Sequence, residues 1–262
     1  MLTNLACILI QRKKKMIGLI DGDIVAFRCA ATCNNEPLKI AIYRMEDMLD
    51  NILSSVQSKT YKMYLTGKNN FRKKIDPEYK ANRKDSIPPI HLSDCREFLS
   101  SKWNAITTNE IEADDALGIE QCLSKEFETV ICSIDKDLLQ IPGYHFNFLH
   151  NVKTLITEEE GYRHFYSQML IGDRSDNVTG VRGIGKVKAA KLLDPLDNEQ
   201  DMFDCVKSTY DDDTRFVKNC NLLWIQKKEN ELWENRSNHL YETTECESER
   251  QESSEMGKRS DT

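Results

Sequence analysis

The sequence is poor in histidine and proline and has no long apolar run. Its 262 residues include five histidines and six prolines. The nine cysteines are scattered, and no two of them form a C-x-x-C pair. This pattern argues against a zinc site and a disulfide framework, and it fits a protein of the reducing cytoplasm. The longest apolar stretches, such as LACILI near the start, are too short to cross a bilayer.

The two ends of the chain differ in composition from the rest. At the start, LACILI precedes QRKKK, whereas the basic part of a secretory signal comes first. We therefore interpret residues 1–15 as an N-terminal extension upstream of Met16. Residues 239–262 are polar and mostly acidic, with almost nothing to bury, which predicts a disordered acidic tail.

Negative charge is concentrated in a few places. The net charge is −7, but much of it lies in the tail and in four short clusters, GLIDGD, EADD, SIDKD and GDRSDN. Outside these parts the chain is net basic, and residues 59–84 alone carry nine lysines and arginines. An acidic pocket in a basic surround is compatible with a nucleic-acid partner, which the net charge alone would disfavour.

Apolar runs alternate with helical periodicity over the first part of the chain. MIGLI, YKMYL, NAITT and ETVICSI read as strands, and Leu38–Val56 has the apolar spacing of a helix. Ser93 is expected to cap one further helix and Glu112 to open another. Strands that alternate with helices predict an α/β domain over residues 16–157, with a mostly parallel central sheet flanked by helices.

Beyond residue 157 the pattern becomes helical. Glu158–Ile171 is predicted to be one helix, and VRGIGKVKAAKLL a turn that opens another. Residues 201–228 supply one or two more. We therefore predict a helical region over residues 158–238.

The acidic clusters are placed where they can converge. Asp21 and Asp135 each follow a predicted strand, and Glu112 opens a helix that enters at the same sheet edge. At about 4 Å and an effective dielectric constant near 20, each pair of like charges costs roughly 4 kcal/mol. Divalent cations remove this cost, and oxygen ligands without histidine or cysteine favour Mg²⁺ or Mn²⁺. The clusters therefore predict a metal site, in which two ions would suit a phosphodiester displacement.

Two basic stretches could bring a phosphate chain to such a site. In the first, the basic segment of residues 67–84, cations alternate with Phe71 and Tyr79, whose rings can stack on unpaired bases. In the second, the basic turn of residues 180–193, glycines permit a tight turn whose amides and lysines can bind phosphates. The alternatives are a solvated charged loop for the first and a connector to a surface helix for the second.

Five motifs, in order over residues 16–195, resemble those of the 5′-nuclease family. They are LIDGD, NNFRKKIDPEYKANRK, IEADDALG, SIDKDLLQI and GDRSDNVTGVRGIGKVKAAKLL. The family comprises bacteriophage 5′–3′ exonucleases, the 5′-nuclease domains of bacterial DNA polymerases and flap endonucleases. The resemblance implies a PIN-like nuclease domain followed by a helix-hairpin-helix motif that grips duplex DNA.

Residue roles follow from the resemblance by position. The implied metal residues are Asp21, Glu112, Asp114, Asp115, Asp135, Asp137, Asp173 and Asp176, with Asp115 in the outer sphere. Lys80 and Arg83 match catalytic cations that contact the scissile phosphate. The expected DNA-binding residues are Arg72, Lys73, Tyr79, Gly183, Gly185, Lys186 and Lys188. In relatives, the turn that matches residues 183–191 often holds a potassium ion (K⁺).

The chain departs from the family pattern at three places. Gly67 stands about where many relatives carry an acid, so the first metal site is expected to rely more on water. Gln168 stands where some relatives have a lysine. The segment between Lys84 and Leu92 is short and contains two prolines, whereas relatives with a long helical arch thread the 5′ strand through it. A closed arch is therefore not expected here.

The expected function is metal-dependent 5′–3′ exonuclease or flap endonuclease activity in DNA replication or repair. The expected partner is DNA with junctions between a 5′ single strand and duplex, with RNA–DNA hybrids as an alternative and replication proteins as further candidates. We expect a monomer with no membrane association.

Two other interpretations are open. DGDIV resembles the nucleophile motif of haloacid-dehalogenase-like phosphatases, with Asp21 as nucleophile and Asp23 as acid/base, but that interpretation leaves EADD, YKANRK and GIGKVKAAK unexplained. The other is a branched-DNA-binding protein without catalysis.

Overall fold

The computed structural model describes residues 16–84, 86–125, 128–236 and 240. The predicted extension of residues 1–15 and all of the predicted tail except Leu240 lie outside these ranges. In the described ranges, every helix is too short or too polar to traverse a lipid bilayer.

Six strands form the central sheet. They are β1 Ile17–Asp21, β2 Thr60–Leu65, β3 Ile106–Thr107, β4 Thr129–Cys132, β5 Gly143–Asn147 and β6 Val152–Ile156. Their order is β3-β2-β1-β4-β5-β6, and every neighbouring pair is parallel except β5 with β6. The predicted mostly parallel sheet is confirmed. The sequence patterns did not predict β5 and β6.

Helices cover both faces of this sheet. The helices of this part of the chain are α1 Gly22–Ala31, α2 Leu38–Ser55, α3 Arg72–Ile75, α4 Leu92–Lys102 and α5 Ala113–Leu123, of which the short α3 packs against the helical region that follows. Because strand side chains alternate, Ile20 of β1 packs in the core with α1, α2 and α4, whereas Leu19 packs with α5. The predicted cap at Ser93 is wrong, since α4 begins at Leu92 and its N-cap position is His91.

The rest of the chain is mainly helical. Its helices are α6 Glu158–Ile171, α7 Lys186–Leu193, α8 Glu199–Lys207, α9 Asp213–Leu223 and α10 Trp233–Arg236. A two-stranded antiparallel ladder, β7 Gly172–Asp173 with β8 Val178–Thr179, separates α6 from α7. The predicted helix at Glu158–Ile171 is confirmed, and a capping box of Thr157 and Glu160 fixes its start.

Residues of each part enter the core of the other. Tyr79 of the basic segment lies among the buried side chains of α6 to α9. Ile225, just after α9, packs beside α5 and Leu19 of the sheet. This interlocking places Gly172–Thr179 next to the carboxyl edge of the sheet, where the predicted acidic site lies.

Candidate metal centre and nucleic-acid interface

The acidic residues meet at the carboxyl edge of the sheet. Asp21 ends β1 and caps α1 by accepting a hydrogen bond from the amide of Ile24 at 3.1 Å. Asp135 follows β4, the strand beside β1, and Glu112 occupies the N-cap position of α5. The convergence predicted from the strand ends is therefore present in the fold.

Asp21, Asp114 and Asp135 form the first group of carboxylates. Burial and then repulsion by Asp21 and Asp135 raise the pKa of Asp114 well above its usual value. Burial also raises the pKa of Asp21 to about 6, although Ser133 donates its hydroxyl to Asp21 at 2.7 Å. Ser133 also accepts the amide of Asp135 at 3.0 Å, so one serine fixes two members of the group.

Asp137, Asp173 and Asp176 form the second group. Their nearest carboxylate oxygens all lie within 4.8 Å of one another. Burial, followed by repulsion from Asp135, Asp173 and Asp176, raises the pKa of Asp137 to about 8. The amide of Asp137 donates to Asp135 at 3.0 Å, which joins the two groups into one acidic surface.

This donor set fits a divalent cation. The grouped side chains offer only carboxylate oxygens, which hard cations prefer. Burial first, and then repulsion between neighbouring carboxylates, raises the pKa values of Asp21, Asp114 and Asp137, so negative charge on these groups is unfavourable without a cation. A divalent ion between the carboxylates would supply that missing charge.

Lys80 and Arg83, the predicted catalytic cations, lie beside the acids. The Lys80 ammonium donates to Glu112 at 2.5 Å and lies 3.5 Å from Asp176, and Arg83 donates to Asp176 at 2.7 Å. Glu112 and Asp176 raise the pKa of Lys80, although burial opposes this, so the side chain remains charged. Lys80 adopts the left-handed conformation, with φ of 57°, which is uncommon outside glycine and occurs where the fold holds a side chain in place.

Tyr79 does not have the predicted role of a base-stacking residue. Its side chain is 3% exposed, so its ring faces cannot reach a nucleobase. Its hydroxyl instead lies 3.0 Å from Glu112 and 2.7 Å from Asp176. Tyr79 therefore connects two of the acidic residues from within the core.

The prediction that Arg72 binds DNA also needs correction, and its partner is Asp115. Arg72 is 2% exposed and binds both oxygens of Asp115, at 2.6 and 2.8 Å. It also donates to the carbonyl oxygens of Leu222 and Trp224, beyond the end of α9. A buried guanidinium with these partners cannot bind DNA. Asp115 is 0% exposed, and its oxygens also accept the amides of Glu112 and Gln226, so it holds Glu112 from behind, and its place in the outer sphere of a metal stays a prediction.

Asp23 is held away from the metal groups. One of its oxygens pairs with Arg96 of α4, and the other accepts the amide of Thr66 at 2.8 Å. The phosphatase interpretation needed Asp23 as a free acid/base, and this pairing removes that candidate.

Two departures from the family pattern have a structural basis. A side chain at Gly67 would place its Cβ atom 1.8 Å from the carbonyl oxygen of Thr108, so an acid cannot stand there without a backbone shift. Gln168 donates to Asp137 at 2.6 Å and accepts from Gln140 at 2.6 Å. The sequence analysis did not identify Gln140 or Ser133, because glutamines and serines have no pattern that marks them as part of a site.

The basic turn leaves its cations exposed. Gly183 adopts φ of 80° in open space, and Lys186 and Lys188 are exposed at the start of α7. The helix is held by Ala189 and Leu193, which are buried. Lys73 of the basic segment is exposed as well. Three of the predicted cations are thus available to a phosphate chain.

The fold and the site together define a metal-dependent nuclease built on an α/β sheet. Residues 16–169 match the family described as 5′–3′ exonuclease, N-terminal resolvase-like domain, so the chain belongs to the 5′–3′ exonuclease family. The 5′–3′ exonuclease of Buchnera aphidicola subsp. Acyrthosiphon pisum is 28% identical over 242 residues, which cover 84% of each chain.

Two further relatives differ in size and sequence distance. The DNA polymerase I of Bacillus caldotenax is 32% identical over 206 residues, which cover 69% of this chain and 23% of the polymerase. The solved structure of the bacteriophage T5 flap endonuclease, in a complex with DNA and metal ions, has a TM-score of 0.63 at 17% identity and covers 88% of this chain. The match takes in all of the T5 chain.

Proposed function

We propose that this enzyme is a 5′–3′ exonuclease and flap endonuclease that hydrolyses DNA near junctions of single strand and duplex and leaves 5′-phosphate products. The observation that carries this proposal is the convergence of the two carboxylate groups beside Lys80 and Arg83 at one sheet edge. Family membership supplies the reaction class, and the T5 relative, whose structure contains DNA and metal ions, supports the substrate.

Two Mg²⁺ or Mn²⁺ ions are the proposed cofactors. Asp21, Glu112, Asp114 and Asp135 would hold one ion, and Asp137, Asp173 and Asp176 the other. Bound divalent ions supply Lewis-acid chemistry, which activates water and stabilises the leaving oxygen. Glu112 would have to share its oxygens with Lys80 and Tyr79, which already contact them.

The cations of the site would act on the phosphate itself. Lys80 is fixed by Glu112, and Arg83 is half exposed, with 54% of its side chain accessible. A phosphate that entered beside Asp176 would meet both groups. Fixed donors aimed at a phosphate stabilise the charge that develops in the transition state.

The basic turn is proposed as the duplex-binding element, in a helix-hairpin-helix role. The exposed Lys186 and Lys188 and the glycines of the turn support contacts with the phosphate backbone, which carry no sequence preference. The Lys188 ammonium donates to the carbonyl oxygen of Gly183 at 2.9 Å. A potassium ion on that carbonyl would therefore have to displace Lys188.

Substitution of Asp137 tests the proposed function. Asp137→Ala is expected to lower cleavage of a 5′-flap duplex in Mg²⁺ by at least about a hundredfold, because one of the three carboxylates proposed to hold the second ion is lost. Binding of the same duplex in Ca²⁺ should stay close to that of the wild type. Asp50→Ala, an exposed aspartate on α2, is the matched control.

The substrate panel extends this test. End-labelled flap, nicked, gapped and RNA–DNA hybrid duplexes are incubated with and without Mg²⁺. Full activity of Asp137→Ala, or cleavage that does not need a divalent ion, would contradict the proposal.

A further inference from the structure

The C-terminal end of α9 and the residues that follow it lie behind both parts of the acidic site. We call this stretch, residues 222–226, the α9 terminus, and all five of its residues are buried. The last carbonyl groups of a helix have no partner inside the helix, and a buried carbonyl group needs a hydrogen-bond donor. At the α9 terminus these donors are side chains that lead to the acidic site in two directions.

The first direction leads to the start of α5. Arg72 donates to the carbonyl oxygens of Leu222 and Trp224 and pairs with Asp115, and the amide of Gln226 donates to the same carboxylate. Asp115 accepts the amide of the N-cap residue of α5 at 2.9 Å. The N-cap and the first turn of this helix carry proposed ligands of the first ion, so their backbone is fixed from the α9 terminus.

The second direction leads to Gln140, which is 1% exposed. Its amide nitrogen donates to the carbonyl oxygen of Leu223 at 2.8 Å, and its amide oxygen accepts the backbone N–H of Ile225 at 3.3 Å. A backbone carbonyl group only accepts a hydrogen bond, and a backbone N–H only donates one. The two backbone groups therefore determine which way the amide of Gln140 is turned.

Gln168 of α6 continues from Gln140 to the acidic site. The nitrogen of Gln140 donates to the amide oxygen of Gln168 at 2.6 Å. Gln168 therefore turns its own nitrogen toward Asp137, to which it donates at 2.6 Å. A carboxylate only accepts hydrogen bonds, so all partners from the α9 terminus to Asp137 agree in polarity. We call the two glutamines the amide relay.

From this chain of hydrogen bonds we propose that the amide relay positions Asp137 for the second ion, so that Gln140 and Gln168 are positioning residues of the reaction. A hydrogen-bonded partner behind a metal ligand fixes the orientation of that ligand, and its loss typically lowers metal affinity by about 10–100-fold. Gln168 acts directly on Asp137, and Gln140 acts through Gln168. This inference rests on the proposed function and adds two uncharged residues to it.

Metal binding in the absence of DNA tests this role. The wild type, Gln168→Leu and Gln140→Leu are titrated with Mn²⁺ in a calorimeter. Asp173→Ala, which lacks one proposed ligand of the second ion, shows which binding event belongs to that ion. Each glutamine variant should raise the dissociation constant of the second ion by about tenfold or more and leave that of the first ion within about threefold.

The metal dependence of cleavage gives a second readout. With Gln168→Leu, the Mg²⁺ concentration for half-maximal cleavage of a 5′-flap duplex should rise by about tenfold or more. The rate at saturating Mg²⁺ should recover to within about threefold of the wild type, because the ligands themselves are all present.

A double variant tests the order of the relay. Gln140→Leu combined with Gln168→Leu should bind the second ion within about twofold of Gln168→Leu alone, because Gln140 has no other route to Asp137. Two independent effects would multiply instead.

Gln121→Leu is the matched control. Its side chain is also buried and donates to backbone carbonyl groups, those of Pro142 and Tyr144, at the opposite end of the parallel strands. It should lower the melting temperature without changing either dissociation constant for Mn²⁺. Gln168 is only partly buried, so Gln168→Leu should fold, and it decides the outcome if Gln140→Leu does not.

Three results would overturn the inference: unchanged Mn²⁺ binding by folded Gln168→Leu, multiplied effects in the double variant, or an equal loss of metal affinity in Gln121→Leu. A wild-type protein that binds no Mn²⁺, or that cleaves no flap in Mg²⁺, would instead overturn the proposed function.

Discussion

The basic segment and the basic turn look alike in sequence but differ in the folded protein. In the basic segment, Arg72 and Tyr79 are buried and Lys80 is mostly buried against Glu112. In the basic turn, Lys186 and Lys188 are exposed. Positive charge therefore serves two purposes in this protein. In the first stretch it fixes acidic residues, and in the second it remains available for a phosphate chain.

The first prediction concerns Arg72, where the largest effect on stability is expected. Arg72→Ala should lower the free energy of unfolding by about 3–5 kcal/mol, because it leaves the buried carboxylate of Asp115 without its partner. Denaturant unfolding, monitored by circular dichroism, measures this free energy. Lys73→Ala, the exposed neighbour, is the control. An equally small effect of both variants would show that the pair of Arg72 and Asp115 does not stabilise the fold.

The second prediction concerns Lys80. Lys80→Met should lower the rate of flap cleavage at saturating DNA by about 10²–10³-fold, because a fixed cation beside the reacting phosphate is lost. Lys84→Met, on the exposed end of the same segment, should leave the rate within a few-fold of wild type. Single-turnover kinetics with both variants distinguish an effect on the chemical step from an effect on DNA binding. Equal rates for the two variants would show that Lys80 does not act in the reaction.

The third prediction tests whether Tyr79 acts through its buried hydroxyl or as a ring that stacks on bases. Tyr79→Phe keeps the ring but leaves Glu112 and Asp176 without their shared donor, so the free energy of unfolding should fall by about 1–3 kcal/mol. Tyr43→Phe, with a side chain that is 67% exposed, should have no measurable effect. If Tyr79→Phe is as stable as wild type while Tyr79→Ala loses only affinity for single strands, the ring stacks on bases after all.

The fourth prediction concerns the basic turn and is the smallest in free energy. The double variant Lys186→Ala, Lys188→Ala should weaken duplex binding and reduce the slope of log affinity against log salt by roughly 2, about 0.9 for each phosphate contact. Cleavage at saturating DNA should not change. Lys102→Ala, at the end of α4, is the control, and an unaltered salt slope in the double variant would remove the basic turn from the DNA interface.

Much of the fold could be predicted from local pattern. Five elements each bury either a continuous apolar run or a helical stripe of apolar residues, so the spacing of these residues in the sequence predicts the element. They are β1, β2, β4, α2 and α6. β6 could not be predicted, because four of its five residues are exposed on the sheet edge and show no apolar alternation. The cap of α4 was also predicted wrongly, because the helix begins at Leu92 without a side-chain cap and Ser93 lies in its first turn.

Part of the candidate site could also be predicted from local properties of the chain. Strand order in a parallel sheet brings Asp21 and Asp135 to one edge, and this follows from chain direction alone. The partners of Arg72 do not follow, because Asp115 lies 43 residues away and the carbonyl of Leu222 lies 150 residues away. Tyr79 is buried by residues of α6 to α9, so its burial cannot be predicted from the sequence of the basic segment alone.

Backbone direction and side-chain chemistry are local properties, so the amino-acid sequence was enough to predict which residues carry negative charge and that the strand ends would gather them. Which basic residues are buried against carboxylates and which remain exposed could be seen only in the folded protein. Burial explains this limit, because a charge removed from water must take a partner from whichever distant segment packs against it.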